Sequence, residues 1–125
     1  MITNADIVRS LREMALFLEM DEVPFKPRAY NTVAEQIAAL DRSLAADYQR
    51  RGIVAIEEIP GVGKGIARRI AEMIDTGKME DLEALKQKRP IDIFALTSVE
   101  GLGPKSVKVL YDGLGITELA SLAHA

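Results

Sequence analysis

The spacing of apolar residues predicts helices from the start of the chain. Over about residues 4–20 they recur every three or four positions, at Ile7, Leu11, Met14 and Leu18. Either Thr3 with Asp6, or Asn4 alone, can cap the first turn of this helix. Pro27 suits the first turn of a second helix, whose apolar face carries Tyr30, Val33, Ala34, Ile37 and Leu40.

The same periodicity continues to the end of the chain. We expect a third helix near residues 44–51, ended by Gly52, and a short helix at 53–58. A helix at 64–76, ended by Gly77, has an apolar stripe formed by Ile66, Ile70, Met73 and Ile74. Further helices are expected at about 80–88, 91–96, 104–114 and 118–124. Because no alternating strand pattern competes, the fold class is all-α, a small helical bundle.

Composition agrees with a compact helical protein. The chain has 125 residues, of which 48% are hydrophobic, so one core or two small halves sharing a core are expected. No apolar run approaches the roughly 20 residues of a membrane span, and no signal peptide is evident. The absence of Cys excludes disulfides, thiolate nucleophiles and Cys-ligated zinc. We therefore expect a soluble, cytoplasmic protein that does not bind membranes.

Charge alone does not identify a partner. The net charge of −3 argues mildly against nucleic acid. Charges that merely solvate helix faces explain the composition equally well. The basic residues are nevertheless concentrated in a few places, at Lys26, Arg28, Arg50, Arg51, Lys64, Arg68, Arg69 and Lys78. Motifs must decide between these interpretations.

Two turns repeat one pattern. Ile59-Pro60-Gly61-Val62-Gly63 aligns with Val99-Glu100-Gly101-Leu102-Gly103, and a predicted helix follows each turn. Apolar-x-Gly-apolar-Gly between two helices is the helix-hairpin-helix signature. One such turn often just joins two helices. Two in tandem, the first followed by Lys64, favour a binding function.

The turn residues suit contact with phosphate. Gly61 can adopt the positive φ that a reversal needs, Val62 can anchor the turn in the core, and Gly63 leaves room at the backbone. The following helix directs unpaired N–H groups and its positive dipole end at the phosphate, which predicts DNA binding without sequence preference. The expected DNA-binding surface comprises Gly61, Val62, Gly63, Lys64 and Gly65, with Gly101, Leu102, Gly103 and Lys105 in the second hairpin.

Two better known phosphate loops are excluded at this turn. A P-loop needs Gly where Glu58 stands and Ser or Thr where Gly65 stands. A dinucleotide fingerprint needs Gly where Ile66 stands, and a preceding strand that the sequence does not provide.

In combination these motifs resemble the N-terminal region of family X DNA polymerases, the DNA polymerase beta group, particularly bacterial members. The resemblance covers nearly the whole chain and is carried by Arg28-Ala29-Tyr30-Asn31 and by residues 59–67, 75–78 and 97–104. It implies a helical domain over residues 1–89 that holds the 5′-phosphate side of a DNA gap. It further implies a second hairpin subdomain over residues 90–125 that holds the primer side.

The resemblance also implies two kinds of site. A 5′-phosphate pocket would comprise Phe25, Lys26, Tyr30, Arg69 and Lys78, with Phe25 placed to stack on a template base. A monovalent cation, Na or K, would bridge hairpin and phosphate through the backbone carbonyls of Glu57, Ile59 and Val62, and of Thr97, Val99 and Leu102. Residue types leave open that Tyr30 is a core residue with a surface hydroxyl, and that Lys26 and Lys78 are merely solvated.

Arg69 departs from the family pattern. Animal members carry there a lysine that forms a Schiff base with an abasic sugar, which a guanidinium cannot do. We expect Arg69 instead to bind phosphate or to pair with Glu72 or its neighbours. Lys64 or Lys78 could replace that lysine only if its pKa were lowered.

The sequence therefore predicts a DNA-binding module of a family X-like repair polymerase, whose partners are gapped or nicked DNA and the rest of a polymerase chain. No strand-borne Asp-x-Asp is present, so Mg²⁺ is expected only if a catalytic domain follows. Two alternatives stay open: an abasic-site lyase that uses Lys64 or Lys78, and a helical protein-interaction module.

Overall fold

Six helices form the described part of the protein. The computed structural model describes residues 2–24, 26–88, 94, 103, 104 and 108. Within these residues there is no strand, and the all-α prediction is confirmed. The helices are α1 (Asn4–Met20), α2 (Lys26–Ala38), α3 (Leu44–Arg51), α4 (Val54–Glu57), α5 (Lys64–Thr76) and α6 (Glu80–Lys88).

Thr3 caps α1, and Asn4 has a different role. The Thr3 hydroxyl accepts the Asp6 N–H at 3.1 Å, and the Asp6 carboxylate accepts the Thr3 N–H at 3.0 Å, which forms a capping box. The Asn4 side chain instead donates to the Arg42 carbonyl at 2.7 Å and accepts the Leu44 N–H at 2.9 Å. Asn4 therefore joins the start of α1 to the start of α3.

Each of the six helices contributes to one apolar core. α1 and α2 form the most extensive helix pair, and α1 also contacts α6. The largest fully buried side chains come from several helices and include Ile7, Leu11, Phe17, Ile37, Leu44, Ile56, Ile70 and Leu82. Burial of one such side chain contributes about 1.5–3 kcal/mol, so the core holds the short helices together.

The two predicted glycine ends, Gly52 and Gly77, are confirmed, whereas the short helix is Val54–Glu57 instead of 53–58 and Leu40 lies beyond the end of α2. Gly52 and Gly77 follow α3 and α5 with φ of 79° and 90°, and the Gly77 N–H bonds to the Met73 carbonyl at 2.7 Å. The predicted helices at 91–96, 104–114 and 118–124 lie outside the described residues, apart from Phe94, Pro104 and Lys108, which are helical. No helix in the described ranges is long and apolar enough to cross a membrane.

Candidate nucleic-acid interface

The first hairpin is anchored on both sides of its turn. Ile59 is buried, and Val62 packs against the core. The Val62 N–H donates to the Ile59 carbonyl at 3.1 Å. Gly61 lies between them with φ 88°, a conformation that residues with a Cβ rarely adopt. The turn is thus held from the inside, and its polar backbone is left at the surface.

The backbone at the start of α5 is open to an external acceptor. Gly63 is the N-cap residue, with φ −87° and ψ 171°, and no side chain caps this helix. The N–H groups of residues 63–65 have no acceptor among the described residues. A Cβ built on Gly63 would meet nothing within 4 Å. These N–H groups and the positive end of the helix dipole provide the elements of an anion-binding surface.

Two cations lie beside this turn. Lys64 and Arg68 are exposed and one helical turn apart on α5. Neither forms an ion pair within the described part of the chain. Both are therefore available to neutralise phosphate next to the free N–H groups.

Arg51 is not available in the same way, because it forms part of an ion network around the buried Asp47 carboxylate. The Asp47 side chain is 3% exposed and accepts hydrogen bonds from Arg51 Nη2 at 2.9 Å, Arg50 Nη2 at 2.7 Å and Arg42 Nε at 3.5 Å. The Arg51 hydrogen bonds hold the pKa of Asp47 well below its ordinary value, against the effect of burial. Arg51 also contacts Glu58 at 2.7 Å. This network ties α3 to the residue that precedes the turn.

Three residues of the predicted 5′-phosphate pocket share one surface depression. Lys26, Tyr30 and Arg69 line a depression of about 350 Å³, together with Asp81 and Lys88. Its apolar floor consists of Met14, Leu18, Ala84 and Leu85. Sequence reasoning missed Lys88, because only the packing of α6 brings this residue next to α2. The depression thus combines this apolar floor with a rim of three cationic side chains and one carboxylate.

Tyr30 is a core residue whose hydroxyl still reaches the surface. Burial raises the pKa of Tyr30; the nearby Arg69 guanidinium acts against this effect, and the Asp81 carboxylate acts with it. The hydroxyl makes no hydrogen bond within the described residues, yet it is not a buried unsatisfied group. It therefore retains access to an external partner in the depression.

Of the other two predicted pocket residues, only Lys78 is described. Lys78 follows Gly77, its side chain is 57% exposed, and its Nζ lies 4.0 Å from Glu80 Oε1. It does not line the depression. Phe25 lies outside the described residues.

Arg69 pairs with Asp81, so the expected pair with Glu72 is wrong, while phosphate binding by Arg69 stays a prediction. Arg69 Nη2 and Nε lie 2.6 Å and 2.9 Å from Asp81 Oδ2, and Nη1 donates to the Gly65 carbonyl at 3.0 Å. The Glu72 carboxylate instead accepts the Glu80 N–H at 3.0 Å. Glu72 thus serves the start of α6, where backbone N–H groups lack partners within the helix, and Asp81 is in direct contact with Arg69.

The carbonyl groups expected to bind a cation are compatible with that role in the first hairpin. The Ile59 carbonyl accepts the Val62 N–H, and the carbonyls of Glu57 and Val62 accept no hydrogen bond among the described residues. Among the residues that the structure describes, no group of three or more His, Cys, Asp or Glu side chains is arranged to bind a metal ion. A carbonyl oxygen has two lone pairs, so it can coordinate a cation even when it accepts one hydrogen bond. Carbonyl oxygens are also the type of ligand that hard cations prefer.

Most of the second hairpin lies outside the described residues. Thr97, Val99, Gly101, Leu102 and Lys105 are among the residues outside the described ranges. Gly103 is described, and a Cβ built on it would meet nothing within 4 Å. This matches the open surroundings of its counterpart Gly63.

Comparisons with known proteins give two family matches and one relative. Residues 2–79 match the helix-hairpin-helix domain family, and residues 93–125 match the SAM-like helix-hairpin-helix tandem family. The chain is 34% identical over 121 residues, 96% of its length, to the DNA polymerase/3′-5′ exonuclease PolX of Bacillus subtilis (strain 168). The matching segment is the N-terminal part of that protein, and the chain spans 20% of its length.

Proposed function

Because the chain belongs to the helix-hairpin-helix domain family, we propose that it holds gapped or nicked DNA through phosphate contacts, as the N-terminal part of a family X repair polymerase. DNA binding itself follows from the two helix-hairpin-helix regions and the similarity to the Bacillus subtilis polymerase. Beyond DNA binding, we propose that the bound DNA is gapped or nicked, that its 5′-phosphate is contacted, and that the chain acts within a longer enzyme.

The observation that carries this proposal is the open backbone at Gly63. Its N–H and those of the next two residues have no acceptor in the described part of the chain, and no side chain blocks them. Lys64 and Arg68 add positive charge on the same helix. Amide contacts to phosphate carry no base information, so binding is sequence-independent and weakens as salt increases.

The depression beside α2 is the proposed binding site for the 5′-phosphate at the gap. Lys26, Tyr30 and Arg69 line it, and Lys88 adds a cation that the sequence did not suggest. A terminal phosphate carries more charge than an internal phosphodiester, so a cationic rim favours the end of a strand over its interior. Lys78, on the exposed segment after α5, would approach the same phosphate from outside the depression.

A monovalent cation at the hairpin would strengthen the phosphate contact. The carbonyls of Glu57, Ile59 and Val62 would hold it in the first hairpin, and it would supply positive charge between the backbone and a phosphate oxygen. Since its donors are backbone atoms, side-chain substitutions at these positions would leave the cation contact largely unchanged.

The polymerase reaction belongs, in this proposal, to the remainder of a longer chain. The relative is about five times as long as this chain. The DNA-holding region would position the gap while a separate domain, with its own Mg²⁺, performs nucleotidyl transfer.

The experiment compares gapped duplexes that carry a 5′-phosphate or a 5′-hydroxyl at the gap. We expect tighter binding of the 5′-phosphate form, and loss of that preference in Lys26→Gln/Lys88→Gln, which removes two lysines that line the depression. The matched control is Arg12→Gln/Lys86→Gln, which removes two cations that do not line the depression. Equal affinity of the unmodified chain for both duplexes would rule out the 5′-phosphate pocket.

A further inference from the structure

The depression contains an acidic residue among its cations. Asp81 is the only acidic residue among the described residues that line it, beside Lys26, Arg69 and Lys88. Its side chain is 60% exposed, whereas that of Arg69 is 30% exposed. A phosphate that enters the depression therefore meets one carboxylate as well as several positive charges.

Arg69 has few donors left for a ligand. Its Nε and Nη2 both lie within hydrogen-bond distance of Asp81 Oδ2, at 2.9 Å and 2.6 Å, and its Nη1 donates to the Gly65 carbonyl at 3.0 Å. All three nitrogens of the guanidinium are thus engaged within the protein. Two of the five N–H donors of the guanidinium, one on Nη1 and one on Nη2, are left for a phosphate, which has to bind them beside the Asp81 carboxylate.

Lys26 and Lys88 differ from Arg69 in this respect. Lys26 forms no ion pair within the described residues, and Lys88 lies 3.8 Å from Asp21, at the long end of an ion-pair distance. The two lysines can turn toward a ligand at low cost. Arg69, held at its side-chain nitrogens, cannot do so without breaking the pair with Asp81.

We propose that Asp81 is a specificity-determining residue of this depression, which limits the preference for a 5′-phosphate by occupying Arg69 and by repelling the anion. The inference rests on the proposed 5′-phosphate site and deepens it. With Asp81 in place, the phosphate is held mainly by the lysines and is released readily. Without the carboxylate, Arg69 becomes a phosphate ligand.

A second interpretation of Asp81 makes a different prediction. Asp81 lies in the first turn of α6, where an acidic side chain stabilises the helix by its interaction with the positive end of the helix dipole. If that were its only role, its replacement would lower stability slightly and leave the 5′-phosphate preference unchanged. Asp81→Asn distinguishes the two roles, because it keeps the size of the side chain and removes its charge.

The test measures the ratio of affinities for 5′-phosphate and 5′-hydroxyl gapped duplexes in each variant. We expect Asp81→Asn to raise this ratio about fivefold, the order expected for removing one like charge roughly 4 Å from a phosphate in water. Glu83→Gln is the matched control: it makes the same charge change on α6 at a residue that does not line the depression. Asp81→Glu retains the charge and is expected to keep the original ratio.

Arg69 must also be required for the gain. We expect Arg69→Gln/Asp81→Asn to show a smaller ratio than Asp81→Asn alone, since the released guanidinium is then absent. A ratio above one in the unmodified chain that Asp81→Asn does not raise would overturn this inference and leave the 5′-phosphate site standing. A ratio of one in every variant would overturn both.

Discussion

Gly61 and Gly63 lie two residues apart in the first hairpin, yet substitution is expected to affect stability at one and DNA binding at the other. The difference comes from the backbone. Gly61 has φ 88°, while Gly63 has φ −87° and ψ 171°. We compare Gly61→Ala with Gly63→Val, so that each substitution adds side-chain atoms to one position of the turn.

The cost of Gly61→Ala comes from its backbone conformation. For a residue with a Cβ, the left-handed region costs about 1–2 kcal/mol of conformational energy, so Gly61→Ala should lower the free energy of unfolding by about that amount. The new Cβ would lie 3.4 Å from Thr32 Cγ2, an ordinary contact that adds little. Gly63→Val places a β-branched residue in extended backbone with nothing within 4 Å, so the free energy of unfolding should change by less than about 1 kcal/mol.

The cost of Gly63→Val comes instead from DNA binding. The valine methyl groups would occupy the space in front of the N–H groups that begin α5. Each hydrogen bond from an amide to a charged phosphate contributes about 1.5–3 kcal/mol. Loss of one such bond would weaken binding roughly 10- to 100-fold.

Urea unfolding followed by circular dichroism measures the first effect, and fluorescence anisotropy with a labelled gapped duplex measures the second. We expect Gly61→Ala to lower the unfolding midpoint and Gly63→Val to raise the dissociation constant. Unchanged affinity in Gly63→Val would refute phosphate contact at this turn. Unchanged stability in Gly61→Ala would refute the claim that the positive φ constrains this position.

Three further predictions concern other residues. Arg69→Lys should form an adduct with an incised abasic site that borohydride traps, whereas the unmodified chain should form almost none. Strong trapping by the unmodified chain would show that an amine at a different position is the nucleophile. Asp47→Asn should lower stability at about pH 7. Because the native pKa of Asp47 lies below its ordinary value of 3.8, the charged group stabilises the fold above that value and loses this effect as the pH falls through the native pKa. Urea midpoints at about pH 7 and pH 3 should therefore differ less in Asp47→Asn than in the unmodified chain, and equal differences would contradict this. Tyr30→Phe should change the free energy of unfolding by less than about 1 kcal/mol and reduce the 5′-phosphate preference, since it keeps the buried ring and removes the hydroxyl; an unchanged preference would assign Tyr30 to the core alone.

Helix positions could be predicted well from the sequence, because two independent signals coincide. At α5, the apolar stripe and the terminal Gly77 indicate the same end, and the helix is Lys64–Thr76 as expected. At α1, periodicity fixed the span, and the capping signal offered two alternatives. The structure selects Thr3 with Asp6, since Asn4 bonds to the segment before α3. Local chemistry is sufficient for helix bounds because the interactions that set them lie within a few residues.

The partners of charged side chains could not be predicted in the same way. Glu72 is three residues from Arg69 on one helix, and sequence spacing favoured that pair. The actual partner, Asp81, lies on the next helix, and its position depends on how α5 and α6 pack. The buried carboxylate of Asp47 is a similar case, because Arg42 and Glu58 reach its network from outside α3. Contacts between elements require the tertiary structure, and the candidate depression consists largely of such contacts.

A fluorescence titration with a gapped 5′-phosphorylated duplex and an intact duplex of the same sequence can decide whether this chain holds interrupted DNA by its phosphates. The titration is repeated at several salt concentrations and with a second, unrelated sequence. We expect the gapped duplex to bind more tightly, both duplexes to bind more weakly as salt increases, and the sequence to make no difference. Equal affinity for gapped and intact DNA, or affinity that does not respond to salt, would show that the chain does not hold interrupted DNA through its phosphates.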